Sequence, residues 1–214
     1  MDLWDVLEAR RTIRSFQDRP VEWPLIEKAI RAAMMAPSHN HLWNWGFILL
    51  RDGDFRRRVV DEGFGIQDVK DPVVLSRWVD GLPDEAKRMY LRAVPVQRKM
   101  LMTAPEVIVV VYETKKNEAA PRYPSDLNAH AAIWMAIAYL LLSLAEDGLY
   151  SCTLPPDETT QAREMLGLPP EWEVAALLPV GYPRVLTRKS GHPSNVDRFI
   201  HIDRFAGSTR HGVK

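Results

Sequence analysis

The stretch Glu106-Val-Ile-Val-Val-Val-Tyr112 decides the predicted fold. An uninterrupted run of β-branched residues this short predicts a strand that is buried on both faces. Two further apolar stretches, Trp45–Leu50 and Glu173–Tyr182, also predict strands, and helical patterns lie between the three. The order helix, strand, helices, strand, helices, strand predicts an α+β fold with helices around one sheet.

The longest helical pattern runs from about Ser125 to Asp147 and is apolar nearly all round. Such a helix is expected to be buried on all sides. Its most apolar stretch, from Ala129 to Ala145, is slightly too short for a bilayer and is typical of a core helix. In a chain of 214 residues, a dimer interface would supply the cover that one subunit lacks.

We expect residues 1–214 to form a single domain, because the chain is long enough for one core and short for two. Residues 63–102 are treated as a variable cover with short helices, since glycine and proline interrupt them. Residues 183–214 form a polar C-terminal extension, in which Phe199–Phe205 alternates like a short strand.

The charge balance and cysteine content exclude several classes of protein. Lys plus Arg and Asp plus Glu each number 28, so no overall field favours nucleic acid or an anionic membrane. A single cysteine, Cys152, excludes an internal disulfide framework and suits a reducing compartment. The acidic N-terminus is unlike a signal peptide. We therefore expect a cytoplasmic protein.

The densest cationic cluster of the chain comprises Arg10, Arg11 and Arg14, with Thr12 among them. Arginine binds phosphate oxygens in pairs, and a hydroxyl adds a further donor. A neutral protein that concentrates such groups at one turn fits a phosphate site. The alternative is that these arginines are solvated surface charges or partners in ion pairs.

A second cluster, in the loop from Pro37 to Trp45, combines hydroxyl, imidazole, amide and indole groups. Such a mixture suits a flat heteroaromatic ligand that carries donors and acceptors on one edge. His39 and His41 do not predict a metal site, because no Cys or carboxylate lies close by with ligand spacing. A structural loop capped by its own polar side chains is the alternative.

In the order of its motifs, the sequence resembles the nitroreductase family of flavoproteins. The sequence Arg10-Arg-Thr-Ile-Arg-Ser-Phe is followed by Ala36-Pro-Ser and Trp45-Gly-Phe. Further along, Lys99-Met-Leu-Met-Thr-Ala-Pro, Gly148-Leu-Tyr-Ser-Cys-Thr-Leu-Pro and Leu178-Pro-Val-Gly-Tyr-Pro match the rest of the family pattern. The resemblance implies a nitroreductase-like fold with a central, mostly antiparallel sheet. It also implies a homodimer with an exchanged C-terminal extension.

The resemblance also implies which residues bind FMN. Arg10, Thr12 and Arg14, with Arg11 less directly, would hold the phosphate and ribityl chain, while Lys99 would lie near the pyrimidine edge. The other subunit would contribute Pro37, Ser38, His39 and His41. Near flavin N5 would lie Thr153, Leu154 and Pro155; because proline has no N–H, the Thr153 hydroxyl or the Leu154 amide would donate to N5. The C-terminal basic pair would be Arg188 and Lys189.

The substrate pocket would be lined by aromatic residues of the cover and the loop, for which ordinary packing is the alternative. These residues are Trp43, Phe64, Trp78 and Tyr90.

The implied activity is ping-pong hydride transfer from NAD(P)H through flavin N5 to an electrophilic acceptor. The acceptor would be a nitroaromatic, a quinone or an activated alkene. A non-catalytic FMN-binding or scavenging protein is one alternative. A specialised relative is another, either a flavin-fragmenting oxygenase or a reductive dehalogenase, although the Glu, Tyr and Lys substrate clamp of the dehalogenase is not evident in the cover.

Overall fold

The structure, a computed structural model, describes residues 2–38, 41–69, 71–114, 125–157, 160–186 and 196–204; for 72, 78, 125–127, 197 and 198 only the backbone is described. Four strands form one sheet: β1 Trp45–Leu49, β2 Glu106–Glu113, β3 Tyr150–Ser151 and β4 Trp172–Gly181. The helices in the described ranges are α1 Leu3–Ala9, α2 Trp23–Met34, α3 Gly53–Arg58, α4 Pro72–Trp78, α5 Asp84–Ala93, α6 Gln97–Thr103, α7 Ser125–Glu146 and α8 Thr160–Met165.

The sheet has the strand order β1-β2-β4-β3, and every neighbouring pair is antiparallel. The predicted strands are therefore confirmed to within a residue or two at their ends. β3, which the sequence patterns did not predict, pairs two residues with the end of β4. The α+β prediction of an antiparallel sheet flanked by helices is confirmed.

β2 is buried on both faces because alternate side chains enter two separate cores. Ile108 and Val110 pack among residues of α2 and α7. Val107 and Val109 pack on the opposite face, against α6, α8 and the π-helix Val59–Gly63 that continues α3. This period of two is the geometry of a strand between two layers.

The helix boundaries follow local signals. Asp2 caps α1, accepting the Asp5 amide at 2.9 Å in a capping box. Pro95 interrupts the helical pattern of the cover as predicted, since α5 and α6 are separated by the 3₁₀ turn Val94–Val96. The chain leaves α8 through Gly167, whose φ of +67° suits glycine.

One expectation is wrong: the alternating segment that begins at Phe199 does not form a strand. Val196–Phe199 forms a 3₁₀ turn, and residues 200–204 are irregular. None of the residues 196–204 pairs with a strand of the sheet, so alternation alone is insufficient.

Within one chain α7 is only partly covered, since Met135 and Tyr139 are 40% and 41% exposed. That a second subunit supplies the missing cover stays a prediction.

Candidate functional site

The site forms where the arginine-rich segment after α1 passes beside β3. The backbone N–H of Ile13 donates to the carbonyl of Ser151 at 3.1 Å, and Thr12 forms an isolated parallel bridge with Ser151. Ile13 is itself buried, which anchors the segment. Two motifs that are about 140 residues apart in sequence therefore meet at one place.

A cavity of about 310 Å³ opens at this junction, within the size range of small-molecule sites. One wall carries Thr12 and Arg14 together with the segment from Cys152 to Pro155. The opposite wall comes from the cover, from Met89, Tyr90, Ala93, Gln97 and Met100. The cavity thus contains five of the predicted cofactor residues and one of the predicted pocket aromatics, Tyr90.

Arg14 is half-buried, and none of the carboxylates described forms an ion pair with it. Its guanidinium lies beside the Cys152 thiol. Burial raises the pKa of the Cys152 thiol, while the charge and hydrogen bond of Arg14 oppose part of that rise. The thiol therefore stays protonated, and the guanidinium charge remains available to an anion in the cavity.

The structure removes one of the two predicted donors to the flavin. Leu154 and Leu177 exchange backbone hydrogen bonds, with the Leu154 amide 3.0 Å from the Leu177 carbonyl and the reverse bond at 2.8 Å. The Leu154 amide is therefore occupied by the sheet, and Pro155 has no N–H. Of the two predicted donors, the Thr153 hydroxyl remains: Thr153 is half-buried and lines the cavity, and its hydroxyl has no hydrogen-bond acceptor among the described residues.

Lys99, predicted at the pyrimidine edge, is exposed and does not line the cavity. Its neighbours on α6, Met100 and Leu101, are fully buried, which turns position 99 outward. Gln97 and Met100 line the cavity instead. No sequence pattern identifies these two residues, because the 3₁₀ turn at Pro95 breaks the helical spacing between α5 and α6.

Other predicted residues of the same chain also lie away from the cavity. Arg11 turns back onto α1, donating to the carbonyls of Glu8 and Arg10. Arg10 is half-buried but is not part of the cavity wall. Phe64 is 5% exposed in the core beneath the sheet, so ordinary packing explains it. His39, Arg188, Lys189 and the side chain of Trp78 lie outside the described residues.

The loop before β1 projects its side chains from a constrained backbone. His41 and Trp43 both have positive φ, 55° and 45°, a region that costs bulky residues energy. The Ser38 hydroxyl accepts the Trp43 amide at 2.9 Å, and the Ser38 carbonyl accepts the His41 amide at 3.2 Å. Pro37, Ser38, His41 and Trp43 do not line the cavity of their own chain. That this loop serves the cavity of another subunit stays a prediction.

The sequence profile of the nitroreductase family matches residues 7–182. The chain belongs to the nitroreductase family. The match includes the arginine segment, the sheet and the cavity wall. Membership of the nitroreductase family supports an oxidoreductase type of function.

Among curated members of the nitroreductase family, iodotyrosine deiodinase 1 of Rattus norvegicus is 28% identical over 186 residues. The alignment covers 85% of this chain but 62% of that protein. An NADH dehydrogenase of Thermus thermophilus is 29% identical over 188 residues, with 87% of each chain covered.

Solved structures show the same fold. An iodotyrosine deiodinase bound to FMN and 3-iodo-L-tyrosine gives a TM-score of 0.69 at 23% identity, covering 95% of this chain and 100% of that one. A BluB-like flavoprotein from Clostridium difficile 630 gives 0.69 at 22% identity, with the same coverage. At these identities the likeness concerns the nitroreductase fold.

Proposed function

We propose that the chain is an FMN-dependent oxidoreductase that takes a hydride from NAD(P)H and passes it to a small electrophilic acceptor, a nitroaromatic, quinone or activated alkene. The observation that carries this proposal is the cavity in which Arg14, Thr12 and Thr153 face an uncharged wall from α5 and α6. When bound, FMN would supply the hydride chemistry. The residues of the chain bind, orient and shield it.

The donor set of the cavity fits FMN. Arg14 supplies a half-buried charge without a carboxylate partner in the described chain, and the Thr12 hydroxyl lies next to it in the wall. Guanidinium and hydroxyl donors suit phosphate or ribityl oxygens. The sulfur and aliphatic groups of Met89, Met100 and Leu154 suit the apolar part of a flat ring.

The Thr153 side chain is assigned to the reacting edge of the ring. Its hydroxyl is the remaining one of the two predicted donors, because the Leu154 amide bonds to Leu177. A hydroxyl can both donate and accept a hydrogen bond, so it can bond to a nitrogen whether or not that nitrogen carries a proton. No dinucleotide-binding glycine motif is needed, since the nicotinamide and the acceptor would occupy the same cavity in turn.

A homodimer is part of the proposal, since a second copy would cover the apolar face of α1, α2 and α7. Trp4 and Met35 are 74% and 80% exposed. Between the three helices lies a groove of about 700 Å³, lined by Leu3, Val6, Met35 and Tyr139. Exposed apolar surface of this extent is typical of an interface. The same contact would carry Ser38, His41 and Trp43 to the cavity of the second copy.

Reductive dehalogenation is a second candidate, favoured by the similarity to the deiodinase of Rattus norvegicus.

For either activity we propose a cytoplasmic location, which the single, buried Cys152 supports because free thiols persist in reducing compartments.

The decisive experiment combines spectroscopy of the purified protein with stopped-flow mixing. We expect a yellow protein with an oxidised flavin spectrum that bleaches within seconds on addition of NADH or NADPH. Reoxidation by a nitroaromatic or a quinone should then restore the spectrum. A colourless protein that refuses added FMN would overturn the proposal. A flavin that neither donor bleaches within minutes would instead indicate a non-catalytic FMN-binding protein.

A further inference from the structure

α5 separates its charges from the cavity. Five of its ten residues are charged: Asp84, Glu85, Lys87, Arg88 and Arg92. At 100° per residue, Met89, Tyr90 and Ala93 share one face, and the five charges all lie on the rest of the circumference. The face that lines the cavity is therefore neutral, although the helix as a whole is strongly charged.

The next part of the cover continues this neutral surface. After the 3₁₀ turn, Gln97 and Met100 of α6 line the cavity, whereas Arg98 points away and forms a bidentate ion pair with Asp61 at 2.7 and 2.8 Å. Lys99 is exposed outside the cavity wall. Among the described residues, the cover thus lines the cavity with thioether, phenol, methyl and amide groups, and none of its ionic side chains is part of the lining.

The remaining walls add little charge for a substrate. Among the described residues that line this cavity, Arg14 is the one with a charged side chain, and the proposed function assigns it to the cofactor. The loop expected from a second copy, residues 37–44, contains no Lys, Arg, Asp or Glu. Its ionisable side chains are two histidines.

We infer that the site selects acceptors without a charged group beside the reacting ring and discriminates against zwitterionic ones. This inference rests on the proposed function and names its substrate class. Apart from Arg14, which the proposed function assigns to the cofactor, a charge that enters the cavity finds no ionic partner among the described lining residues. The hydration that the charge loses there is therefore not replaced, which is costly. An uncharged ring with one polar group instead meets thioether and aromatic surface, and Tyr90 and Gln97 supply hydrogen bonds.

The inference separates this chain from the deiodinase whose structure contains 3-iodo-L-tyrosine. That ligand carries an ammonium and a carboxylate, and a complementary site needs opposite charges close to both. Within the described residues, the cover of this chain directs no such pair into the cavity.

The test measures binding to the oxidised holoprotein by titration calorimetry, with no electron donor present. Three probes share the nitrophenyl ring: 4-nitrobenzyl alcohol is neutral, 4-nitrobenzylamine is cationic, and 4-nitro-L-phenylalanine is zwitterionic. We expect the alcohol to bind about tenfold or more tightly than either charged probe. A zwitterion that binds as well as the alcohol, or better, would overturn the inference.

Two variants introduce the same new charge on α5, one at the cavity and one away from it. Met89→Glu introduces a carboxylate at the cavity, whereas Leu91→Glu introduces one two residues away, outside it. The two positions are matched in exposure, 44% and 43%. Met89→Glu should tighten binding of the amine by about fivefold and weaken the alcohol, while Leu91→Glu leaves both within about twofold. Equal effects of the two variants would overturn the inference.

The probe ranking on the unaltered protein stands if either variant fails to fold. Bleaching by NADH or NADPH, recorded on the same preparation, keeps the two proposals apart. A flavin that bleaches without the expected ranking removes the inference alone. A flavin that does not bleach removes the oxidoreductase proposal whatever the ranking.

Discussion

Leu154 and Leu177 bond to each other through both backbone groups, at 3.0 and 2.8 Å. The pair attaches the cavity segment to the central strand β4 and consumes the amide that would otherwise face a ligand. Thr153 therefore lies between two buried residues, Cys152 and Leu154, that hold its backbone in place. A rigid support of this kind holds one hydroxyl in a defined position.

Thr153→Val should slow flavin reduction by NAD(P)H about tenfold, because it removes one hydrogen bond worth about 1.4 kcal/mol in the site and keeps the side-chain shape. Thr153→Ser retains the hydroxyl and should stay within about threefold of the parent rate. The measurement is the stopped-flow rate at saturating donor, with FMN content checked by absorbance. Equal rates for Thr153→Val and the parent would exclude the hydroxyl as the donor.

Arg14→Ala should weaken FMN binding by at least ~1.5 kcal/mol, the lower range for a charge-assisted bond. Arg57→Ala is the control, since Arg57 pairs on the surface with Asp54 and its side chain is 58% exposed. The dissociation constant is measured by fluorescence as FMN is added back to the apoprotein. Unchanged affinity in Arg14→Ala would remove this residue from the cofactor site.

Ser151→Ala should stabilise the apoprotein by about 1 kcal/mol, because a buried hydroxyl without a partner carries a desolvation cost. The Ser151 side chain is 3% exposed, and its Oγ has no hydrogen-bond partner among the described residues. Chemical denaturation gives the free energy of unfolding. Ser38→Ala serves as the opposite case, since the Ser38 Oγ accepts the Trp43 amide and its loss should destabilise. A destabilised Ser151→Ala would mean that the hydroxyl is in use.

The free energy of unfolding of Trp43→Gly should exceed that of Trp43→Ala by about 1 kcal/mol in chemical denaturation, because only glycine adopts positive φ without strain. Both variants lose the indole, so their difference isolates the backbone at φ 45°. The same pair at Leu42, which has no positive φ, should show the reverse order. If glycine proves the less stable residue at both positions, the left-handed conformation of Trp43 is absent in solution.

Lys28→Met should reduce the melting temperature at pH 7 and lose this effect in acid. Lys28 Nζ lies 2.9 Å from both Glu146 and Asp147, which ties α2 to the end of α7. These contacts raise the pKa of Lys28 and lower the pKa of Glu146. The contribution of a lowered carboxyl is present above its unfolded pKa of about 4.3 and disappears as the pH falls through the folded value.

At alkaline pH the stabilisation by Lys28 depends on pH in the opposite direction, because the amine loses its charge as the pH rises. The contribution of Lys28 is complete below its unfolded pKa of about 10.4 and disappears as the pH rises through the raised folded value. Thermal melts of Lys28→Met and its parent from pH 3 to pH 11 test both limits. Arg31→Met, which removes an exposed pair with Glu27 on the same helix, should change little at pH 7. A difference that persists at pH 3 would contradict the ion-pair explanation.

The sequence by itself determined the three long strands and the interruption of the cover helices by proline. These features depend on local interactions: the periodicity of apolar residues and the missing N–H of proline. It also identified Thr12, Arg14 and the segment from Thr153 to Pro155, since the order of the family's motifs is visible in one dimension.

Only the tertiary structure decided which side chains reach the cavity. Lys99 and Gln97 are equally visible in the sequence, but the burial of Met100 and Leu101 against the sheet turns Gln97 inward and Lys99 outward. In the same way the pairing of Leu154 with Leu177 occupied an amide that the sequence left open. A helix or strand is specified by neighbours along the chain, whereas the face that it presents to a ligand is set by long-range packing.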